Sequence, residues 1–316
     1  MKQFQLLQRS DLPADIITVS PSQLGSWHKC QWAWKLAKVD NVEVVSDRPF
    51  GAANKGRIAH AFLDWKYSRS IGQGIGPLTE DEQQQALTDV GKLFTLDADF
   101  FKVWSMFVCY CEWAVRKEEL VPVGTEVEIF APTGLVARDG RAIYLHGILD
   151  MLAYLFDQLI VVDHKSHTNR PWDTERLLYE IQFKIYALIL ELQSVDIDGV
   201  CVNTLDLWLP KNPNDFHPNY IKGRTGPRPR FDRFMLSKRD LRLQFVLDQV
   251  LKTIKKMWVD DPVYEMRLDE NCKFCRYRDH IDYDSRGAHN EAVVALRDRF
   301  AVDDSYSLEV DLGEDD

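Results

Sequence analysis

The sequence predicts an α/β fold in which a mixed β-sheet is flanked by helices, with further helical segments added at both ends of the chain. Three observations predict it. Apolar residues recur at helical spacing before residue 120, the pattern then changes to runs rich in Val, Ile, Tyr and Leu, and a long amphipathic helix precedes one more apolar strand. Strands followed by a helix and a further strand are typical of a mixed sheet with helices packed against it.

Length and composition are those of a globular protein. The chain has 316 residues, of which 45% are hydrophobic and 28% charged, and this excludes disordered, collagenous and disulfide-framework proteins. No apolar run approaches the roughly 18 to 20 residues of a transmembrane helix, and the start lacks the apolar region of a secretory signal. We therefore expect a cytoplasmic protein that does not act at a membrane.

The first helices are predicted from capping residues and from spacing. Ser20 and the following proline suit the start of a helix over residues 20–38. A second helix, over 52–67, carries Gly56, His60 and Asp64 at intervals of four, so that they share one face. Helical pattern resumes over 80–119. The residues of the first helix that we expect in the core are Leu24, Trp27, Trp34 and Leu36.

The middle of the chain has the pattern of strands. Segments 125–130 and 142–156 flank the turn-prone sequence ARDGR and predict a hairpin, and residues 159–163 predict a fully buried strand. The remaining predicted elements are a helix over 174–193, a strand over 200–209, an irregular proline-rich connection over 210–229 and a terminal helix over 241–258.

Two carboxylates and a lysine stand at the ends of apolar strands. Asp150 ends the run LHGILD, Asp163 ends the buried strand, and Lys165 follows on the same face of an extended chain. Charged groups there are costly unless they are paired or bind a metal. Two such carboxylates can hold a hard divalent cation, while the lysine orients water or neutralises charge on a phosphate.

These residues form an ordered set of known type. His60 in GRIAH, GILD at Asp150, VVDHK at Asp163 and Lys165, and the later QFKIY resemble the RecB-type branch of the PD-(D/E)XK nucleases over most of the chain. The resemblance implies a restriction-endonuclease-like core and Mg²⁺ or Mn²⁺ as cofactor. It implies Asp150, Asp163 and His60 as metal ligands, and Lys165 as the catalytic lysine.

The resemblance extends to a helix and to the strand before the hairpin. It implies that Gln182 and Tyr186 position the site or the DNA strand, although both also suit the polar flank of an amphipathic helix. Relatives often carry an acidic residue on the strand that here holds Glu126 and Glu128. Alternation places both on one face, so we prefer Glu126 without a decisive reason, and two solvent-facing carboxylates remain the alternative.

Three cysteines raise the question of a second cofactor. AddB-type and CRISPR-associated exonucleases bind an iron-sulfur cluster with one cysteine near the N-terminus and three near the C-terminus. This chain offers Cys30, Cys272 and Cys275, and only His280 in place of the fourth. An iron-sulfur cluster, Zn²⁺ and no metal at all therefore stay open. The other cysteines are expected in the core, namely Cys109, Cys111 and Cys201.

Charge is distributed unevenly along the chain. The net charge is -10, yet residues 211–242 hold nine basic residues against three acidic ones, and 302–316 hold seven acidic residues and no basic one. The basic segment could bind a nucleic-acid backbone while its aromatic residues, which include Phe231, stack on unpaired bases, or it could be a solvated loop. The acidic end could compete with DNA, dock on a partner or aid solubility.

The resemblance implies one nuclease domain over 1–290 and an acidic, flexible tail over 291–316. Within the domain we expect a mainly helical part over 1–120, the nuclease core over 121–210, and a basic loop, helix and cysteine turn over 211–290. The expected activity is a metal-dependent DNA exonuclease in recombination, repair or replication. A structure-selective endonuclease and a non-catalytic DNA-binding module are the alternatives.

The expected partners follow from the same resemblance. DNA with single-stranded character is the expected substrate, and a helicase, a recombinase or a single-strand-binding protein are candidates for protein partners. The chain lacks the phosphate-binding motif GxxxxGK[ST], so an ATP-driven motor would be a separate protein.

Overall fold

The computed structural model describes residues 6–42, 51–117, 120–167, 178–206, 231–261 and 264–265. The chain divides into two compact units, one formed by Met1–Leu24 and Phe50–Pro262 and the other by Gly25–Pro49 and Val263–Asp316. The first unit contains the β-sheet and the candidate site. Every helix among the described residues is too short or too polar to cross a lipid bilayer.

The first unit is built on a mixed six-stranded sheet. Its strands are β1 (Ile16–Val19), β2 (Leu120–Val136), β3 (Ala142–Leu155), β4 (Gln158–His167), β5 (Gly199–Asp206) and β6 (Phe231–Ser237). Neighbouring strands follow the order β1-β3-β4-β5-β6, and β2 also pairs with β3. β1 runs parallel to β3 and β4 parallel to β5, while the other pairs are antiparallel. The predicted mixed sheet is confirmed.

The register of the sheet brings acidic residues of neighbouring strands together, although Asp150 and Asp163 lie within β3 and β4 and not at the strand ends where they were predicted. Thr125 pairs with Met151 and Val127 with Leu149, so Glu126 stands opposite Asp150 on the next strand. On β4, the three residues of the D-x-K motif run parallel to Val202, Asn203 and Thr204 of β5. The motif therefore pairs with β5, and it begins directly after Val162, where the pairing of β4 with β3 ends.

Helices precede, interrupt and follow the strands. They are α1 (Pro21–Lys29), α2 (Gln31–Lys38), α3 (Gly51–Ser68), α4 (Glu80–Gly91), α5 (Ala98–Lys117), α6 (Ile181–Leu192), α7 (Lys238–Leu241) and α8 (Leu243–Ile254), and a π-helical turn (Lys255–Val259) follows. α3 and α5 pack together through stacked aromatic rings, with the centroids of Phe62 and Phe107 5.0 Å apart. The predicted burial of Cys109, Cys111 and Cys201 is confirmed.

Several element boundaries differ from the prediction. The single helix expected over 20–38 is two helices, because Cys30 has extended backbone with φ -161°. The helical stretch expected over 80–119 is also interrupted, and the side chain of Asp97 accepts a hydrogen bond from the backbone N–H of Phe100 at the start of α5. The connection over 210–229, the acidic tail, Cys272 and Cys275 lie outside the described residues.

Strand β6 was not predicted, and it changes the interpretation of the basic segment. Phe231, expected to stack on bases, is 8% exposed and packs against Tyr110 and Trp113, with ring centroids 5.5 and 5.6 Å away. The guanidinium of Arg233 lies 5.0 Å from the Trp113 ring centroid. The prediction of a nucleic-acid contact by Phe231 is therefore wrong, because this residue belongs to the core.

The second unit has an aromatic cluster of its own. The rings of Trp27 and Trp34 meet edge to face with centroids 5.0 Å apart, and Tyr264 lies 6.0 Å from Trp27. The side-chain oxygen of Gln31 accepts a hydrogen bond from the backbone N–H of Glu265. The predicted burial of Trp27, Trp34 and Leu36 is confirmed, as is that of Leu24 in the first unit.

Candidate active site

A histidine and two carboxylates converge at the middle of the sheet. Nδ1 of His60, on α3, lies 3.4 Å from Oδ1 of Asp150 on β3. Glu126 on β2 completes the group, and the three offer ligand atoms that all lie within 4.8 Å of one another. The His60 side chain is 32% exposed, so the group opens to solvent. One neutral nitrogen and two carboxylates form a ligand set suited to a divalent cation.

The backbone of Glu126 distinguishes it from Glu128. Glu126 has φ +47°, a left-handed conformation that is uncommon for a strand residue other than glycine. Such a conformation costs about 1 to 3 kcal/mol and is found most often where a side chain has a functional position. Glu128 instead contacts Nε2 of His146, 2.9 Å away. The structure thus brings Glu126 to His60 and Asp150, and gives Glu128 a different partner.

The D-x-K motif is tied to helix α6 by one glutamine. The amide nitrogen of Gln182 donates to Oδ1 of Asp163 (3.2 Å) and to the hydroxyl of Tyr186 (2.8 Å). The amide oxygen of Gln182 accepts from Nζ of Lys165 (3.1 Å). Gln182 therefore fixes the carboxylate, the ammonium and the phenol relative to one another. The polar flank of α6 faces the site.

Asp163 is the most deeply buried carboxylate of the group. Its residue is 1% exposed, and Oδ2 lies 2.7 Å from Nζ of Lys165. The ammonium of Lys165 is thus the charged partner of this carboxylate. Burial raises the pKa of the Asp163 carboxyl, and the charge of Asp150 raises it further, although Lys165 opposes the rise. This carboxylate lacks full compensation for its negative charge.

Asp150 is held in place from two sides. Its Oδ2 accepts a hydrogen bond of 2.6 Å from the backbone N–H of His164, and its Oδ1 faces His60. Burial would raise the pKa of Asp150, but the hydrogen bond and charge of His60 outweigh it and lower the pKa overall. Burial would likewise lower the pKa of His60, and Asp150 raises it instead. The two shifts therefore favour an ionised carboxylate beside a protonated imidazole, and a cation would replace that proton.

A buried polar network supports the motif from behind. The amide nitrogen of Asn203 donates to Nδ1 of His164 (2.9 Å) and to the hydroxyl of Tyr110 (2.8 Å). The Tyr110 hydroxyl is also 2.6 Å from that of Tyr67, whose ring stacks on His164 at a centroid distance of 5.7 Å. Burial lowers the pKa of His164 to about 3, so its ring stays neutral. This network was not predicted. The signal for it in the sequence was Asn203, a polar residue within an apolar strand.

Gly147 allows Tyr186 to approach the sheet. A Cβ atom added at Gly147 would lie 2.7 Å from Cε1 and 2.9 Å from Cδ1 of the Tyr186 ring. Real contacts between carbon atoms are about 3.5 to 4.0 Å. The glycine of GILD is therefore required by the same tyrosine that hydrogen-bonds Gln182. The sequence signal for it was the GxxD spacing itself.

The charges of the site fit a divalent cation. Desolvation raises the pKa of Glu126, and the negative charges of Asp150 and Asp64 add to the rise. Burial is the main reason that the pKa of both Glu126 and Asp163 is raised, and the negative charge of Asp150 adds to the rise in each. A cation beside Asp150 would relieve this repulsion. Hard oxygen donors and one imidazole suit Mg²⁺ or Mn²⁺.

The structure gathers almost all of the residues predicted for the site. They form two groups, which the hydrogen bond from the backbone of His164 to Asp150 joins. One group is His60, Glu126 and Asp150, and the other is Asp163, Lys165, Gln182 and Tyr186. Cys30 is half-buried and belongs to the second unit. The set of three grouped ligand atoms contains Glu126 and not Asp163, which contacts Lys165 and Gln182 instead.

Comparison with known proteins identifies the family of the chain. The family model of the PD-(D/E)XK nuclease superfamily matches residues 18–280, and the chain belongs to this superfamily. No curated protein matches the chain in sequence.

Two solved structures are among those similar in shape. One is a candidate exonuclease from Eubacterium rectale, 11% identical, with a TM-score of 0.48, covering 94% of this chain and 99% of that one. The other is the protein SSO0001, 12% identical, with a TM-score of 0.32, covering 70% of this chain and 82% of that one.

Proposed function

We propose that the protein is a DNA exonuclease that depends on Mg²⁺ or Mn²⁺ and acts at the site formed by His60, Asp150 and Asp163. Membership of the nuclease superfamily supports hydrolysis of phosphodiester bonds. The observation that carries the proposal is the convergence of the Asp150 carboxylate, the His60 imidazole and the D-x-K motif at one opening of the sheet.

The roles of the residues follow from their contacts. His60, Glu126 and Asp150 would hold the cation, and Asp163 would contribute its negative charge from behind. A divalent cation supplies stabilisation of negative charge on a phosphate and makes water more acidic. Lys165 carries a proton and a positive charge beside the position that a scissile phosphate would take. Gln182 keeps its ammonium oriented through the 3.1 Å hydrogen bond.

The experiment compares linear with covalently closed substrates. End-labelled linear DNA and closed circular DNA, each single- and double-stranded, are incubated with Mg²⁺, Mn²⁺ or EDTA. An exonuclease degrades the linear forms and leaves the circles intact, because a circle has no end to enter. Cutting of circles would replace the proposal by the endonuclease alternative, and binding without cleavage would replace it by the non-catalytic one.

Matched variants connect the activity to the site. Asp163→Asn should reduce cleavage about 10- to 100-fold, because it removes the negative charge that faces Lys165 and supports the cation site. Asp157→Asn is the control, since Asp157 is an exposed residue in the turn between β3 and β4. Full activity of Asp163→Asn, or cleavage in EDTA, would refute the assignment.

The second cofactor is proposed separately. We propose that Cys30, Cys272 and Cys275 together form an iron-sulfur or Zn²⁺ site. Cys30 alone cannot form one. Protein purified without oxygen is examined by visible absorption and by metal analysis. Iron with acid-labile sulfide supports a cluster, zinc alone supports a zinc site, and neither metal means that the cysteines pack without one. A helicase, recombinase or single-strand-binding protein as partner, and action in repair or recombination, also stay proposals.

A further inference from the structure

A groove of about 920 Å³ lies at the N-terminal end of α6, beside α7 and α8. Its walls combine aromatic and basic residues. They include Tyr179 and Phe245, and the cations of Lys184, Arg239 and Arg242. None of these residues belongs to the site described above.

The two aromatic residues are unusually exposed. Tyr179 is 80% exposed and Phe245 is 63% exposed, although both are large side chains that usually pack in a core or an interface. They come from different elements of the chain and meet at one groove, so they are not scattered singly over the surface. Exposed rings at a basic groove are suited to stacking on flat, uncharged rings of a ligand.

The charge of the groove is opposite to that of the whole chain. Three cations face one carboxylate, that of Asp240, which accepts hydrogen bonds from the backbone N–H and hydroxyl of Ser237. Within the described part of the chain, Lys184, Arg239 and Arg242 form no ion pair. Desolvation and the nearby charge of Arg242 lower the pKa of Lys184. The net charge of the protein is -10, so this cationic groove is a local feature that favours an anionic ligand.

The backbone at Arg242 supports a binding role for its side chain. Arg242 has φ +49°, at the junction where α7 ends and α8 begins. Glycine is the residue that usually occupies a left-handed position at the end of a helix, because it has no Cβ to be strained. An arginine there is an observation that points to a use for the guanidinium in the groove.

The groove and the active site share the first turn of α6. Gln182 faces the D-x-K motif, whereas Lys184 is two residues further along and therefore lies about 200° around the helix axis. The helix is about 10 Å across, so the two sites are separated by little more than its diameter. An extended polymer with a phosphate at each repeat could pass over the end of the helix and occupy both.

We propose that this groove binds an unpaired strand of DNA, with Tyr179 and Phe245 stacking on bases and Lys184, Arg239 and Arg242 contacting phosphates. Duplex DNA does not offer base faces to such rings, and a protein partner would not require three cations spaced along the groove. That the bound strand is also the substrate rests on the proposed nuclease function. Binding itself does not, because it is measured without cleavage.

Binding of a fluorescently labelled DNA single strand of about 20 nucleotides is measured by fluorescence anisotropy in EDTA. This length exceeds the number of nucleotides that one groove can contact. Tyr179→Ala and Phe245→Ala should each weaken binding about 5- to 150-fold, as expected for loss of one stacked base. Phe156→Ala is the control, because Phe156 is 66% exposed in the turn between β3 and β4 and does not line the groove. Binding of the matching duplex should not depend on either aromatic residue.

Arg242→Gly separates binding from folding. It should weaken binding of the single strand. The slope of the logarithm of the binding constant against the logarithm of salt concentration should become shallower by about 0.7, the value for one phosphate contact. Its thermal midpoint should equal or exceed that of the wild type, since glycine relieves the left-handed strain.

Four outcomes would overturn the inference. They are unchanged single-strand affinity in the aromatic variants, an equal loss for duplex, an equal loss in Phe156→Ala, and dissociation of a dimer by these variants in sedimentation, which would assign the groove to a second copy of the chain. Strand binding that requires the groove, without cleavage in Mg²⁺ or Mn²⁺, would instead reject the proposed nuclease function alone.

Discussion

Replacing Gly147 by alanine tests how closely helix α6 must approach the sheet. The new Cβ would lie 2.7 Å from Cε1 of Tyr186, a residue that is 7% exposed and has little free space. Restoring an ordinary contact requires a movement of the ring by about 1 Å. Overpacking of this kind costs about 1 to 3 kcal/mol in the free energy of unfolding.

The same displacement should reduce activity. Tyr186 hydrogen-bonds Gln182, which in turn orients Lys165. A misplacement of about 1 Å in a catalytic group can reduce the rate about 100-fold. Urea denaturation gives the change in stability, and single-turnover cleavage of a linear substrate gives the change in rate.

A double-mutant cycle identifies the cause. In a Tyr186→Leu background the ring is absent, so adding Gly147→Ala should cost less than in the wild type by about 1 kcal/mol or more. Gly76→Ala is the control, because a Cβ at Gly76 meets no atom within 4 Å. If Gly147→Ala lowers the free energy of unfolding equally in both backgrounds, contact with the Tyr186 ring is not the cause.

Three further changes have defined outcomes. Glu126→Gly should raise the free energy of unfolding by about 1 kcal/mol by relieving its left-handed backbone, while weakening Mn²⁺ binding; a loss of stability in urea denaturation would contradict this. Asn203→Ala removes the donor to Nδ1 of buried His164 and should lower the unfolding free energy by about 1 to 3 kcal/mol, so wild-type stability would contradict the network. Glu82→Gln removes the 3.0 Å partner of Lys66, which is 3% exposed, and should be destabilising at pH 7. Desolvation would raise the pKa of Glu82, but the helix cap and Lys66 lower it below 4.5, so the difference from wild type should disappear as the pH falls through the folded pKa; a constant difference from pH 7 to 3 would count against the pair.

The sequence was sufficient to predict which charged residues of neighbouring strands lie close together. Asp150, Asp163 and Lys165 stand at the ends of apolar runs, where charged residues have few structural explanations, and the strands that carry them pair directly. The i to i+4 spacing of Gln182 and Tyr186 requires one face of a helix, and in the structure both contact each other. These features depend on local periodicity, which is visible in one chain.

Features that depend on tertiary contacts could not be predicted. Strand alternation gives Glu126 and Glu128 the same face, and only the left-handed backbone of Glu126 and its position opposite Asp150 separate them. The network of Asn203, Tyr110 and Tyr67 joins residues far apart in sequence, for which spacing gives no signal. β6 directly follows a proline-rich, basic stretch, so its aromatic residues were interpreted as part of that stretch, although the whole of β6 pairs with β5.

The central claim is that the carboxylates beside His60 bind a divalent cation on which hydrolysis depends. Titration of the protein with Mn²⁺, followed by electron paramagnetic resonance, measures this binding without DNA. We expect wild type and Asp157→Asn to bind Mn²⁺. In Asp150→Asn the affinity should fall at least about 100-fold, since even the loss of a residue that only supports a ligand lowers affinity about 10- to 100-fold. Equal affinity in Asp150→Asn and wild type would contradict it.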